Sequence, residues 1–221
     1  MTYRFQAEIK AEHLRAMQHL AAVQDVRYYL QGVQVFATPE VILGATNGSV
    51  LGVLRTHQTA SGCFKVRIPN DTIKQMGKAA GPVVLGSDDG KAWALKVGPI
   101  TLGWQAQEEQ YPELHRALPA AVTGEACKFD ARLLALFWKV AKDLNATSAG
   151  EHSVLMGQNG ENTALVNMPA APDFIGGLAV LRRGPKHPEP QMSAPGWAKA
   201  APNVPADWRD AVRTEEPCDL A

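Results

Sequence analysis

The residues able to do chemistry are six histidines, three cysteines and 22 acidic side chains. His13, His19, His57, His115, His152 and His187 are scattered, and Cys63, Cys127 and Cys218 stand far apart with no CxxC pair. A zinc site needs its ligands at short fixed spacings and a disulfide framework needs paired cysteines, so neither is expected. No GxSxG elbow, HExxH pair or paired-carboxylate motif occurs. The stretch GSDDGKA at 86–92 resembles a phosphate-binding loop. Its glycine spacing is one residue short, however, and Ala92 stands where a hydroxyl would hold magnesium, so it reads as a hairpin turn. No cofactor is expected. An enzyme would have to assemble distant residues, as catalytic triads do, and would show itself by a deep polar pocket.

Binding chemistry is better represented. Residues 25–32 read DVRYYLQG, an arginine and two adjacent tyrosines of the sort that stack on single-stranded bases. Arg132, Lys139 and Lys142 share one face of a helical pattern, and Lys74 and Lys78 lie four apart on another. Such faces either contact phosphates or are merely solvated. The 22 basic and 22 acidic residues cancel, so no overall field draws the chain to nucleic acid or membrane, and any DNA contact must be local.

The elements that must position these residues repeat. Phe5, Phe64 and Phe129, 59 and 65 residues apart, each sit in a short strand-like piece before a helix-like stretch. Three β-rich segments follow each helix: GVQVFAT, VILGAT and SVLGVLRT; PVVLGS, KAWALKV and ITLGWQAQ; SVLMGQ, ENTALVNM and FIGGLAVLRR. Turn chemistry at Thr38-Pro39-Glu40, Asp88-Asp89-Gly90 and Asn159-Gly160 separates the first of each three from the second. The expectation is three β-α-β-β-β units in an α+β fold. In the third helix Leu133, Phe137, Val140 and Leu144 form an apolar stripe, and Asn70 or Asp71 should cap the second helix. Residues 185–221 hold seven of the fifteen prolines and read as a tail, either a linker with a docking peptide around Trp197 and Trp208 or a segment laid over the body. No stretch has the ~18 apolar residues that span a bilayer, and the unpaired cysteines suit a reducing cytoplasm.

Residues 25–55 resemble the middle domain of the bacterial sliding clamp, the β subunit of DNA polymerase III. The family pattern D-V-R-Y-Y-L-N-G, a strand pair, then A-T-D-G-H-R-L-A is met by Asp25–Gly32 and by Ala45-Thr46-Asn47-Gly48-Ser49-Val50-Leu51-Gly52. A second family signature, F-P-x-x-x-x-x-L-P, is met by Tyr111-Pro112 through Leu118-Pro119. The resemblance implies the DNA-clamp fold, with antiparallel sheets outside and helices inside. Residues 1–120 would form one complete clamp domain and 121–184 half of another. A bacterial clamp has six units per chain and closes a ring of twelve from two chains, so this three-unit chain resembles a shortened, divergent relative such as a phage or mobile element carries. Four copies would restore twelve units, and two would supply a complete extra domain if their third units paired. A homo-oligomer, dimer or tetramer, is therefore implied.

The resemblance also assigns residues. Lys74, Lys78, Arg132, Lys139 and Lys142 would contact double-stranded DNA without reading sequence, with Arg27 and Tyr28 approaching the backbone. Tyr29, Leu30, Thr46, Gly48, Val50, Leu51, Pro112, Arg116 and Leu181, or Val180 in its place, would border a cleft for peptides of a DNA polymerase or clamp loader. Where the family has His-Arg this chain has Ser49-Val50, so one charged wall of that cleft is missing. The implied function is a non-enzymatic replication platform and processivity factor. The alternative is a clamp-fold module that does not encircle DNA and binds or interferes with host replication-clamp proteins.

Overall fold

The computed structural model describes residues 3–38, 40–106, 111–144 and 153–181. Alternating apolar residues dictate its first elements. Strand β1 (Phe5–Lys10) buries Ala7 and Ile9 and turns Glu8 and Lys10 outward, and it leads into helix α1 (Ala11–Gln18), which buries Ala11, Leu14 and Met17. A 3₁₀ turn at Tyr28–Leu30 leads to β2 (Gly32–Ala37), β3 (Glu40–Thr46) and β4 (Val50–Ser61). The order then repeats as β5 (Phe64–Pro69), α2 (Asn70–Gln75), β6 (Pro82–Ser87), β7 (Ala92–Val97) and β8 (Ile100–Gln105). A short helix α3 (Leu114–Ala117) precedes α4 (Ala131–Leu144), β9 (Leu155–Gly157), β10 (Ala164–Asn167) and β11 (Phe174–Leu178). The fold is α+β, as expected, with all strand pairs antiparallel.

The first two sets exchange their opening strands. Strand β1 pairs with β6 of the second set, and β5 pairs with β2 of the first, each over six residue pairs. Neither set can close its sheet alone, which fixes 5–105 as one folded body. The long β4 belongs to two sheets: Val50–Leu54 pair with β11, and Ala60 and Ser61 pair with β1. One sheet thus runs β5-β2-β3-β4-β11-β10-β9 and the other β4-β1-β6-β7-β8. The helices pack on one apolar layer made by Ile9, Leu14, Leu43, Leu85, Phe137 and Phe174, all essentially buried.

Several expectations are corrected. The opening strand expected around Phe129 is not formed. A single bond lies near it, from Leu181 N–H, three residues past the end of β11, to Lys128 O at 2.9 Å. Helix α2 ends at Gln75, because Gly77 takes φ +60° and turns the chain, so Lys78 lies in the turn beyond the helix. Its N-cap is Pro69, with no side-chain cap. Asn70 is buried and donates its amide to Ala22 O at 2.8 Å instead, tying α2 to the loop after α1. In α4 the buried positions are Phe137, Val140 and Ala141, while Leu133 and Leu144 are half-buried. The GSDDGKA stretch is the β6–β7 hairpin: Asp89 Oδ1 accepts the N–H groups of Lys91 and Ala92, and Ser87 Oγ that of Gly90. The proline-rich tail at 185–221, with Trp197 and Trp208, lies outside the described residues. No helix among the described residues is long and apolar enough to cross a membrane.

Candidate functional site: a cleft at the β4–β11 junction

The β3–β4 hairpin builds the centre of the site. Asn47 Oδ1 accepts the N–H groups of Ser49 and Val50, and Thr46 Oγ1 donates to Val50 O at 2.7 Å while accepting from Gly48 N at 3.0 Å. Gly48 holds φ +91°, where a side chain would be strained, and a Cβ there would lie 2.6 Å from an Arg27 Nη1. That space lets the guanidinium cross the turn and donate to Asn47 O at 3.1 Å. Arg27 is also held on Asp25, Nη2 to Oδ2 at 2.7 Å and Nε to Oδ1 at 3.0 Å. Those bonds to the ionised carboxylate hold Asp25 down at about 2 and raise Arg27 further.

The segment after β8 supplies the second wall. Tyr111 and Leu114 are buried against Leu51 in a small cluster of their own, with Phe36, Val53 and Leu118 around it. Tyr111 Oη donates to Gly44 O at 3.4 Å, and burial pushes the phenol well above its ordinary range. Gly44 has no room for a Cβ because Leu114 Cδ1 would sit 2.7 Å from it. These anchors lay Pro112 beside the hairpin. The third wall is β11, whose Gly177 pairs with Leu51.

A cleft of about 260 Å³ opens between the three. It is lined by Tyr29, Leu30, Thr46, Gly48, Val50, Leu51 and Pro112, which the sequence singled out, together with Arg27, Ser49, Glu113, Leu114, Ala117, Thr163, Gly177 and Ala179. Arg116 is turned to Glu113 in an exposed ion pair and does not line it. Leu181 is 41% exposed and also lies off the cleft, because β11 ends at Leu178 and the wall is made by Gly177 and Ala179. Arg27 was expected on the DNA side and is found in the cleft. It brings a cation to a pocket that it lines together with Ser49 and Val50. The small residues in FIGGLA were the signal for the third wall: only residues without bulk leave a groove beside Leu51.

The cationic residues are placed differently. Tyr28 is 56% exposed and meets Tyr29 edge to face, with centroids 6.0 Å apart. Lys74 is exposed on α2, 3.4 Å from Asp71, and Lys78 is exposed in the turn after it. On α4, Arg132 is 90% exposed and forms with Asp130 the same Asp-x-Arg pair that Arg27 forms with Asp25, Nη2 to Oδ2 again at 2.7 Å. Lys139 is exposed, and Lys142 lies 5.6 Å over the Trp138 ring. Among the described residues no group of three or more histidine, cysteine or acidic side chains is arranged to hold a metal ion.

No family model matches the sequence, and no curated protein matches it. Solved structures do. The chain is 16% identical to a DNA polymerase sliding clamp from Pseudomonas aeruginosa, crystallised with ligand, over 83% of this chain and 67% of that one, with a TM-score of 0.58. It is 12% identical to the sliding clamp of Bartonella birtlesii bound to griselimycin, over 83% and 67%, with a TM-score of 0.60. Against the β subunit of Borrelia burgdorferi in complex with a natural product the identity is 12%, the coverage 82% and 65%, and the TM-score 0.59. The chain spans about two thirds of the length of these clamps. This chain has the fold of the DNA polymerase III β sliding clamps, at low sequence identity.

Proposed function

We propose that the protein is a non-enzymatic, clamp-type platform of DNA replication, which captures short peptides of a polymerase or clamp loader in its cleft and contacts double-stranded DNA through exposed cations. The observation that carries this reading is the cleft. Three segments far apart in sequence converge to leave apolar walls at Leu30, Val50, Leu51 and Pro112, with a polar rim at Arg27, Thr46 and Glu113. Apolar anchoring inside a small polar rim is what peptide capture requires. Two similar clamps carry griselimycin and a natural product, so clamps of this fold take small ligands.

The DNA part rests on Lys74, Lys78, Lys139 and Lys142, with Arg132 less available because Asp130 holds it. Four or five cations on a chain of zero net charge hold a duplex weakly, so useful affinity requires more than one copy, in the cytoplasm where replication runs. Fluorescence anisotropy of a labelled duplex, followed as salt falls from about 200 to 50 mM, tests it. Binding that strengthens with each dilution and weakens equally on all sequences when Lys139→Glu and Lys142→Glu are introduced supports the DNA role; no binding at the lowest salt removes it.

A further inference from the structure

We infer that the exposed face of α4 is a binding site for single-stranded DNA, in which an unpaired base stacks on Trp138 while the neighbouring phosphates meet Lys139 and Lys142. This rests on the DNA reading of those lysines and changes the form of DNA they meet.

The face follows from the helix spacing. Ala131, Ala135, Trp138 and Lys142 recur at intervals of four, three and four and so make one row, with Arg132 and Lys139 in a second row beside it. All of them are exposed. The opposite side of the helix carries Phe137, Val140 and Ala141 into the core, and Leu133, Leu134, Leu136 and Leu144 pack against it. The large apolar residue that α4 turns to water is its tryptophan, at 52% exposure. Trp93 and Trp104 behave differently. Both pack with the core, and their indole N–H groups donate to Gly90 O at 2.9 Å and to Arg67 O at 3.1 Å.

The ring is placed to stack. A helical side chain leans over the turn before its own Cα, and that turn holds Ala135, with Ala131 one turn further back, both too short to shield the indole. Lys142 Nζ lies 5.6 Å from the ring centroid, so a cation stands beside the aromatic surface, where the phosphate next to a stacked base requires one. The row is also free of acid, because the one carboxylate of α4, Asp143, lies 2.9 Å from His19 Nε2. Aromatic surface interleaved with cations is the pattern that holds unpaired strands. An intact duplex gives the indole nothing to stack on, since its bases are stacked on one another and a surface sliding along it meets phosphate and sugar. Lysines alone would serve a duplex as well; the tryptophan is of use where a base is free.

Fluorescence anisotropy of the full chain with a labelled oligothymidylate of about 12 nucleotides, a duplex of the same length and a fully abasic strand tests the inference. Wild type should bind the oligothymidylate more tightly than the abasic strand. Trp138→Ala should weaken the oligothymidylate ~5- to 150-fold, erase that preference and leave the salt slope unchanged, since the slope counts phosphates. Trp138→Phe, which keeps a ring, should retain most of the binding. Both variants should keep the wild-type circular dichroism, because the residue lies outside the core. Lys139→Ala should do the converse, lowering the slope and leaving the preference for bases. An oligothymidylate bound no better than the abasic strand, or indifferent to Trp138→Ala, overturns the inference; if the duplex still binds, the duplex contact stands without it. Single-strand binding lost with Trp138, beside a duplex that does not bind, would support this site and remove the duplex role. No binding of any strand at about 50 mM salt removes both.

Discussion

The cleft and the cationic set are built on opposite physical terms. Cleft residues come from 27–30, 46–51, 112–117 and 163–179, and burial of their neighbours brings them together: Leu51, Tyr111 and Leu114 are all under 10% exposed. The other cations lie on two helices and the turn after α2, where Arg132 answers to Asp130, Lys74 to Asp71 and Lys142 to Trp138. Apolar surface converges because leaving it in water is costly, at about 25 cal/mol per Å². Exposed charges gain nothing from meeting their own kind. Burial therefore fixes the positions of the cleft's walls relative to one another, and nothing comparable fixes the lysines.

Phe174 separates the two regions most sharply. It anchors β11 with 2% exposure, against Phe137 at a ring separation of 6.3 Å, and Phe174→Ala should cost about 3–5 kcal/mol by thermal or denaturant unfolding. The third wall of the cleft should be lost with it, while exposed Lys139→Ala should leave unfolding unchanged. Gly48→Ala, forcing a side chain to φ +91° against Arg27, should cost about 1–2 kcal/mol and displace the guanidinium from the cleft mouth. The smallest effect is on titration. Asp25 should titrate at about 2 by carbon-detected NMR, and in Arg27→Gln it should return toward 3.8. Because the folded value lies below the ordinary one, the contribution of the pair is complete above about pH 4 and is lost as pH falls through 2.

Much of this was legible in the residues. The spacing of Phe5 and Phe64 marks the opening strands of the first two sets, and strands such as GVQVFA and PVVLGS lie where their alternation puts them. Tight-turn chemistry located the hairpins, because glycine and asparagine act locally. What was not legible is what depends on contacts distant in sequence. Nothing near Tyr111 says that it will bury itself under Gly44, or that β1 and β5 will trade places between sets. The strand expected at Phe129 fails for a similar reason. An opening strand is held by the second strand of a companion set, as β1 is by β6, and among the described residues the third set has no such companion.

Peptide capture depends on the cleft. Titration of the isotope-labelled protein with short peptides from the C-termini of DNA polymerase and clamp-loader subunits, followed by amide NMR, tests it. The expected result is saturable shifts at Tyr29, Leu30, Thr46, Gly48, Leu51 and Gly177, abolished by Leu51→Glu in a variant that remains folded. Peptides that leave those amides unmoved at millimolar concentration, or that move only residues away from the β4–β11 junction, would contradict it.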